Sequence, residues 1–241
     1  MEIMKKIAAK AADLGGCKIP TIAFLGDSVT QGCFECYVTE DNKIQTVFDK
    51  EHAYHSYIDR IFSMLYPNVP LNIINAGISG GNAAAGLARL ERDVLCHKPD
   101  LTVVCFGLND CGQGFDGLDG YKQNLREIFT KLTESGSEVI FMTANMMNTS
   151  VSCHLPEGLL RNAANGFQQR QKDGVLTAYF DAAKQVAAEC GVKICDVYAK
   201  WLMLSENGVN VTELLANKLN HPTREMNWVF AYELVNTMMC E

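Results

Sequence analysis

No apolar run in this chain approaches the roughly 18 residues that a membrane-spanning helix needs, so no membrane span is expected. An excess of positive charge is also missing: 21 Lys and Arg face 28 Asp and Glu, a formal net charge of −7. That balance argues against nucleic acid as the main partner, because neutralising phosphates takes clustered Lys and Arg. Histidine is scarce, at 52, 55, 97, 154 and 221 only, with no H-E-x-x-H or other paired ligand spacing, so no metal is expected. The turn from Gly77 to Gly81 has neither a P-loop lysine nor G-x-G-x-x-G spacing, which argues against a nucleotide site. No cofactor is expected. The chain shows no internal repeat, low-complexity tract or linker, so a single domain over residues 1–241 is expected.

No secretory leader is expected either. Lys5, Lys6, Lys10 and Asp13 break up the first residues, and no apolar region precedes the loosely lipoprotein-like Leu14-Gly15-Gly16-Cys17. A short amphipathic helix with Ile3, Ile7, Ala11 and Leu14 on one face fits better. A cytoplasmic protein is expected, and its ten cysteines then read as free thiols. Cys33-Phe34-Glu35-Cys36 has redox or zinc spacing but no second pair at zinc spacing, so it too reads as ordinary thiols.

What the chain does have is alternation. Ile19 to Leu25 reads as a buried strand that stops at Gly26-Asp27-Ser28. Further strands are expected over Leu71–Asn75, Leu101–Phe106, Glu138–Thr143 and Val192–Cys195. Helices are expected over Glu51–Tyr66, Ala83–Cys96, Tyr121–Ser135 and Gln168–Cys190, the last broken near Gly174, with a final helix opened by His221-Pro222 and running to about Met239. His52 and His55 read as exposed or capping residues of the first of these. Tyr37–Thr39 and Ile44–Phe48 flank Asp41-Asn42 as a hairpin that walls a site, and residues 145–167 read as irregular. Strand–helix alternation predicts an α/β fold: a three-layer α/β/α, flavodoxin-like arrangement around a parallel five-stranded sheet, with the strand order 2-1-3-4-5 taken only by analogy with that fold.

In such a sheet the ends of parallel strands share one edge. Gly26-Asp27-Ser28, Gly77 to Asn82 and Gly107 to Asp110 would meet there, and a loop carrying His221 could return to the same edge. Taken singly, Ser28 reads as a turn or capping serine, Gly80 as a tight turn and Asn109 as a turn residue. Together they supply what acyl transfer requires: a hydroxyl nucleophile, a base, and fixed donors for an oxyanion.

At these blocks the sequence resembles the SGNH hydrolases, also called the GDSL esterase/lipase family. The resemblance rests on Gly26-Asp27-Ser28, Asn75 to Gly80, Gly107-Leu108-Asn109-Asp110 and His221-Pro222, which occur in the family's order. It implies Ser28 as nucleophile, His221 as general base, and the Ser28 amide, Gly80 and Asn109 as the oxyanion hole. It also implies a small-molecule ester as substrate, with acetyl esters of carbohydrates favoured within a family range that includes lysophospholipases and thioesterases. The oligomeric state is left open, a homo-oligomer included.

One position departs from the family pattern. Where the family carries an Asp three residues before its histidine, this chain has Lys218. Three alternatives follow: a Ser–His dyad oriented by a backbone carbonyl, a substitute acid at Glu213 or Glu206, or a lapsed enzyme that binds carbohydrate or ester without turnover. A different nucleophile is also considered, because Gly77-Ile78-Ser79-Gly80-Gly81 fits G-x-S-x-G between a strand and a helix. Only one clear strand precedes it, which counts against that reading. Met146 and Met147 are candidates for an acyl pocket, with core packing the plainer role.

Overall fold

The computed structural model describes residues 1–240. Its strands are β1 (Thr21–Gly26), β2 (Cys33–Val38), β3 (Ile44–Phe48), β4 (Asn72–Gly77), β5 (Leu101–Cys105), β6 (Glu138–Met142) and β7 (Lys193–Cys195). Its α-helices are α1 (Glu2–Ala12), α2 (Ser28–Gln31), α3 (Tyr54–Leu65), α4 (Ala83–Ala88), α5 (Leu90–Asp93), α6 (Leu118–Glu134), α7 (Leu159–Lys172), α8 (Val175–Glu189), α9 (Val197–Glu206) and α10 (Asn227–Met239).

β1 is buried at every residue, as a strand covered on both faces must be. It pairs in parallel with β4 (Gly26 opposite Gly77) and with β5 (Gly26 opposite Cys105). The five-stranded sheet runs β4-β1-β5-β6-β7, which is the order 2-1-3-4-5 among these strands. Helix α3 packs on α10 while α4, α6 and α8 pack in series, so helices flank the sheet in three layers. One apolar cluster runs from Ile3 to Met238. Within it Ile22, Phe24 and Leu25 are fully buried, each worth about 1.5–3 kcal/mol relative to exposure. Among the described residues no helix is long and apolar enough to cross a membrane.

Several elements differ from the sequence expectation, each for a local reason. The helix expected over Ala83–Cys96 breaks at Arg89, whose backbone leaves helical geometry and whose buried guanidinium donates to Ala76 O (2.6 Å) and Gly26 O (2.9 Å). The irregular stretch ends early, because α7 begins at Leu159. Its separation from α8 falls at Gly174, whose φ is +74°. The last helix starts at Asn227 rather than at His221, leaving the histidine in a loop. Asn227 Oδ1 there accepts the Tyr54 N–H at the start of α3, 3.1 Å away. His55 is buried, not exposed or capping: it sits among Phe24 and Tyr54, and burial pushes its pKa down to about 4. In α1, Ile3 and Ile7 are buried as expected, but Ala11 and Leu14 are exposed and Lys10 turns inward to cap Leu14 O and Cys17 O.

Candidate functional site

The site begins where β1 stops. Asp27 caps the single turn of α2, its Oδ1 accepting the Val29 N–H at 2.9 Å, and Ser28 is the first residue of that turn. The Ser28 hydroxyl is thus carried at the sheet edge by a strand–turn–helix junction. Its own N–H has no hydrogen-bond acceptor among the described residues.

β4 delivers the second component. Gly77 lies so close to α2 that a Cβ there would sit 2.3 Å from Gln31 N. Gln31 uses its Oε1 to accept the Ser79 N–H at 2.6 Å, fixing the turn that follows. Gly80 then adopts φ +75°, a conformation that glycine takes without a steric cost, and its absent side chain would point into open space. The Gly80 N–H likewise has no acceptor among the described residues. β5 delivers the third component. Asn109 Nδ2 donates to Gly81 O at 2.8 Å, and buried Asp110 accepts the Ala83 N–H at 2.9 Å, so the loop after β5 is tied to the turn after β4.

His221 arrives on a loop built around Asn217, whose Oδ1 accepts the N–H groups of Leu219, Asn220 and His221 at 2.9–3.0 Å. Asn145, just past β6, donates to Asn220 O at 2.8 Å and anchors that loop to the sheet. His221 Nε2 lies 3.0 Å from Ser28 Oγ. Its Nδ1 lies 2.9 Å from the carbonyl oxygen of Phe34 in β2. A carbonyl only accepts, so Nδ1 carries the proton and Nε2 is left to accept from the serine hydroxyl. Burial pulls the His221 pKa down to about 4, against an upward pull from the Phe34 bond. Burial likewise raises the neighbouring carboxyls, Asp27 to about 7 and Asp110 to about 6.

Ser28, Gly80, Asn109 and His221 therefore line one cleft of about 420 Å³. The β2–β3 hairpin forms one wall, with Cys36, Ile44, Thr46 and Phe48, and Ala163 and Phe167 of α7 contribute to the lining as well. Met146 and Met147 are buried in the core and do not line the cleft. Glu213 is paired with Lys218 Nζ at 2.9 Å, and Glu206 ends α9; the group on His221 Nδ1 is the Phe34 carbonyl rather than either acid. Ser79 is exposed, and among the described residues its hydroxyl has no histidine partner. No cluster of three or more His, Cys, Asp or Glu side chains suited to a metal ion is present among the described residues.

The sequence reading missed Phe34, Gln31, Asn217 and Arg89. Phe34 and Arg89 contribute or engage backbone carbonyls, which residue type does not advertise. Asn217 and Gln31 act through bonds to neighbouring main chain.

Residues 24–229 match the GDSL-like Lipase/Acylhydrolase family. An acetylxylan esterase of Geobacillus stearothermophilus is 27% identical over 131 residues, 51% of this chain and 58% of the relative. An arylesterase of Vibrio mimicus is 32% identical over 117 residues, 46% of this chain and 58% of the relative. The matched part thus spans less than two thirds of either relative. Among solved structures, an acetylxylan esterase from Geobacillus stearothermophilus superposes with a TM-score of 0.63 at 21% identity, covering 92% of this chain and 95% of the other. An α/β hydrolase from the metagenome of Lake Arreo, Spain, superposes with a TM-score of 0.67 at 19% identity over the same shares. At such identities these structures speak for the fold.

Proposed function

The chain belongs to the GDSL-like lipase/acylhydrolase family, and from that premise we propose that it hydrolyses carboxylic esters through a Ser28–His221 dyad and an acyl-enzyme. The observation that carries this reading is the 3.0 Å contact between His221 Nε2 and Ser28 Oγ at the base of a cleft, with Nδ1 already donating to Phe34 O. His221 takes the hydroxyl proton as Ser28 Oγ attacks the ester carbonyl. The Ser28 and Gly80 N–H groups, with the second Nδ2 proton of Asn109, stabilise the oxyanion. As the tetrahedral species collapses, the imidazolium returns its proton to the departing alcohol. Water, deprotonated by His221, then attacks the acyl-Ser28 carbonyl, and as the second tetrahedral species collapses the imidazolium returns the proton to Ser28 Oγ and the acid leaves.

The proposed substrates are small O-acyl esters, with acetyl groups on carbohydrates first. The acetylxylan esterase relative supports that choice, and so does a cleft wall that mixes Gln45, Thr46, Asn217 and Asn220 with apolar side chains.

The test is hydrolysis of p-nitrophenyl esters of increasing chain length, then of acetylated xylo-oligosaccharides, by wild type, Ser28→Ala and His221→Ala. Acetate should be cleaved best, and each variant should lose about 10³-fold or more in kcat. Wild type inactive on every ester would favour a binding module instead. Activity lost in Ser79→Ala but kept in Ser28→Ala would move the nucleophile to the other serine.

A further inference from the structure

His221 is oriented by a main-chain carbonyl, and a carbonyl is only as well placed as the backbone that carries it. Phe34 lies near the start of β2, in a two-stranded hairpin whose outer residues Tyr37, Val38, Ile44 and Phe48 are exposed. Such a hairpin is marginally stable on its own. Its register also shifts between Cys33 and Cys36, the very segment that contains Phe34, so the ladder does not fix that carbonyl.

Arg224, three residues beyond the histidine, supplies what the ladder lacks. Its Nη1 and Nη2 donate to the two oxygens of Glu35 at 2.6 and 3.2 Å, and its Nε donates to Asp49 Oδ2 at 2.8 Å. Its guanidinium carbon stands 4.3 Å from the centre of the Phe34 ring. Glu35 belongs to β2 and Asp49 follows β3, so one side chain from the histidine loop grips both strands of the hairpin and covers Phe34. The Asp49 N–H closes the base of the hairpin on Gly32 O at 2.8 Å.

We propose that Arg224, gripping Glu35 and Asp49, is a positioning residue that holds the Phe34 carbonyl against His221 Nδ1 and so keeps Nε2 aimed at Ser28. The proposal rests on the Ser28–His221 reading above. Arg224 does not touch the reacting atoms. It performs by way of the hairpin the task that an orienting carboxylate performs directly, at a site where the sequence has Lys218 instead. The planar fork of arginine serves two carboxylates and an aromatic face at once, which a lysine ammonium cannot do. With the grip released, the carbonyl withdraws and the imidazole becomes free to place its proton on Nε2. In that tautomer the lone pair is on Nδ1, and Nε2, which faces Ser28, cannot accept the serine proton.

The experiment compares Arg224→Gln, Arg224→Lys and Glu35→Gln with wild type, with kcat expressed per site titrated by an organophosphonate. Arg224→Gln should lower kcat by about 10- to 100-fold with a much smaller change in KM, since orientation rather than binding is lost. Arg224→Lys should recover only part of that loss. Glu35→Gln should fall in the same direction, and the Arg224→Gln/Glu35→Gln pair should be little worse than Arg224→Gln alone. Nitrogen-15 NMR of the histidine rings supplies the readout that general destabilisation would not move. The resonance missing from His221→Ala identifies His221, which should be the Nδ1–H tautomer in wild type and a mixture in Arg224→Gln.

Full kcat and an unchanged tautomer in Arg224→Gln would overturn the proposal while leaving the dyad intact, provided Ser28→Ala and His221→Ala stay inactive. Activity persisting in those two variants would instead overturn the reading beneath it. Should Arg224→Gln not fold, Glu35→Gln decides by the same tautomer measurement, since the Glu35 side chain is 46% exposed and the loss of its charge leaves the Asp49 contact in place.

Discussion

The catalytic base proposed here has no carboxylate beside it, and that has a measurable signature. Burial makes His221 lose its proton at about 4 rather than near 6.5. A base works in its neutral form, so kcat/KM should rise with unit slope through about pH 4 and then level off. At pH 5 a group of pKa 4 is about nine-tenths neutral, whereas one of pKa 6.5 is only about 3% neutral, a difference of about 30-fold in rate. Asp27 and Asp110, which ionise at about 7 and about 6, are still protonated across the rising limb and do not distort it. The assay is stopped-time measurement of released acetate from pH 3.5 to 8 at substrate well below KM. Near-UV circular dichroism at each pH would verify the fold, since buried His55 also protonates at about 4. Half-maximal kcat/KM near pH 6.5 in folded protein would refute the reasoning. It would mean that water or an acid reaches His221 and that the carbonyl is not its sole support.

Two further outcomes follow from the same geometry. Lys218→Asp restores the family's residue but should not improve the enzyme, because Nδ1 is already bonded to Phe34 O and the residue 218 side chain runs to Glu213. We expect kcat/KM within about threefold of wild type, because the exposed pair it breaks is worth under about 1 kcal/mol; a tenfold gain would show that the carboxylate reaches the ring. Asp27→Asn should stabilise the fold at pH 8 by about 2–4 kcal/mol and leave it unchanged at pH 4. The folded pKa of Asp27 is raised to about 7 from 3.8, so the native state holds more protons than the unfolded one between those values and loses stability as pH rises through them. Asparagine keeps an oxygen for the Val29 N–H and carries no charge. Melting curves of equal spacing at the two pH values would contradict this.

Much of the architecture was legible because the apolar runs carry it. The five parallel strands and the polar turns at three strand ends follow from runs such as Leu101 to Cys105 and from the glycines that end them, while the order of the sheet comes by analogy with the fold. The meeting of the ends of β1, β4 and β5 was legible for the same reason, since a parallel sheet gathers its strand ends; Ser28, Gly80, Asn109 and His221 are singled out by the family resemblance. Tertiary bonds overrode local periodicity elsewhere. Arg89 abandons a helix of good formers because its guanidinium serves two strand carbonyls. His55 looked like a surface residue until α3 was seen to turn Tyr54, His55 and Ile58 together into the core. Between the dyad and a substitute acid, the sequence could not choose, since the deciding atom is a peptide oxygen 187 residues away from the histidine it orients.

That peptide oxygen has a consequence for how such a site changes over generations and under mutagenesis. A carboxylate is written in one codon and is lost with one substitution; the oxygen of residue 34 is present whichever amino acid is encoded there. An alanine scan would find Phe34 only through its packing and would leave the orienting group itself unseen. Substitution at that position leaves the oxygen itself in place, whatever it costs in packing, while an insertion or deletion between Cys33 and Cys36, which displaces the backbone without altering any recognisable motif residue, would disable the histidine. Motif-based searches would then score the altered chain as intact.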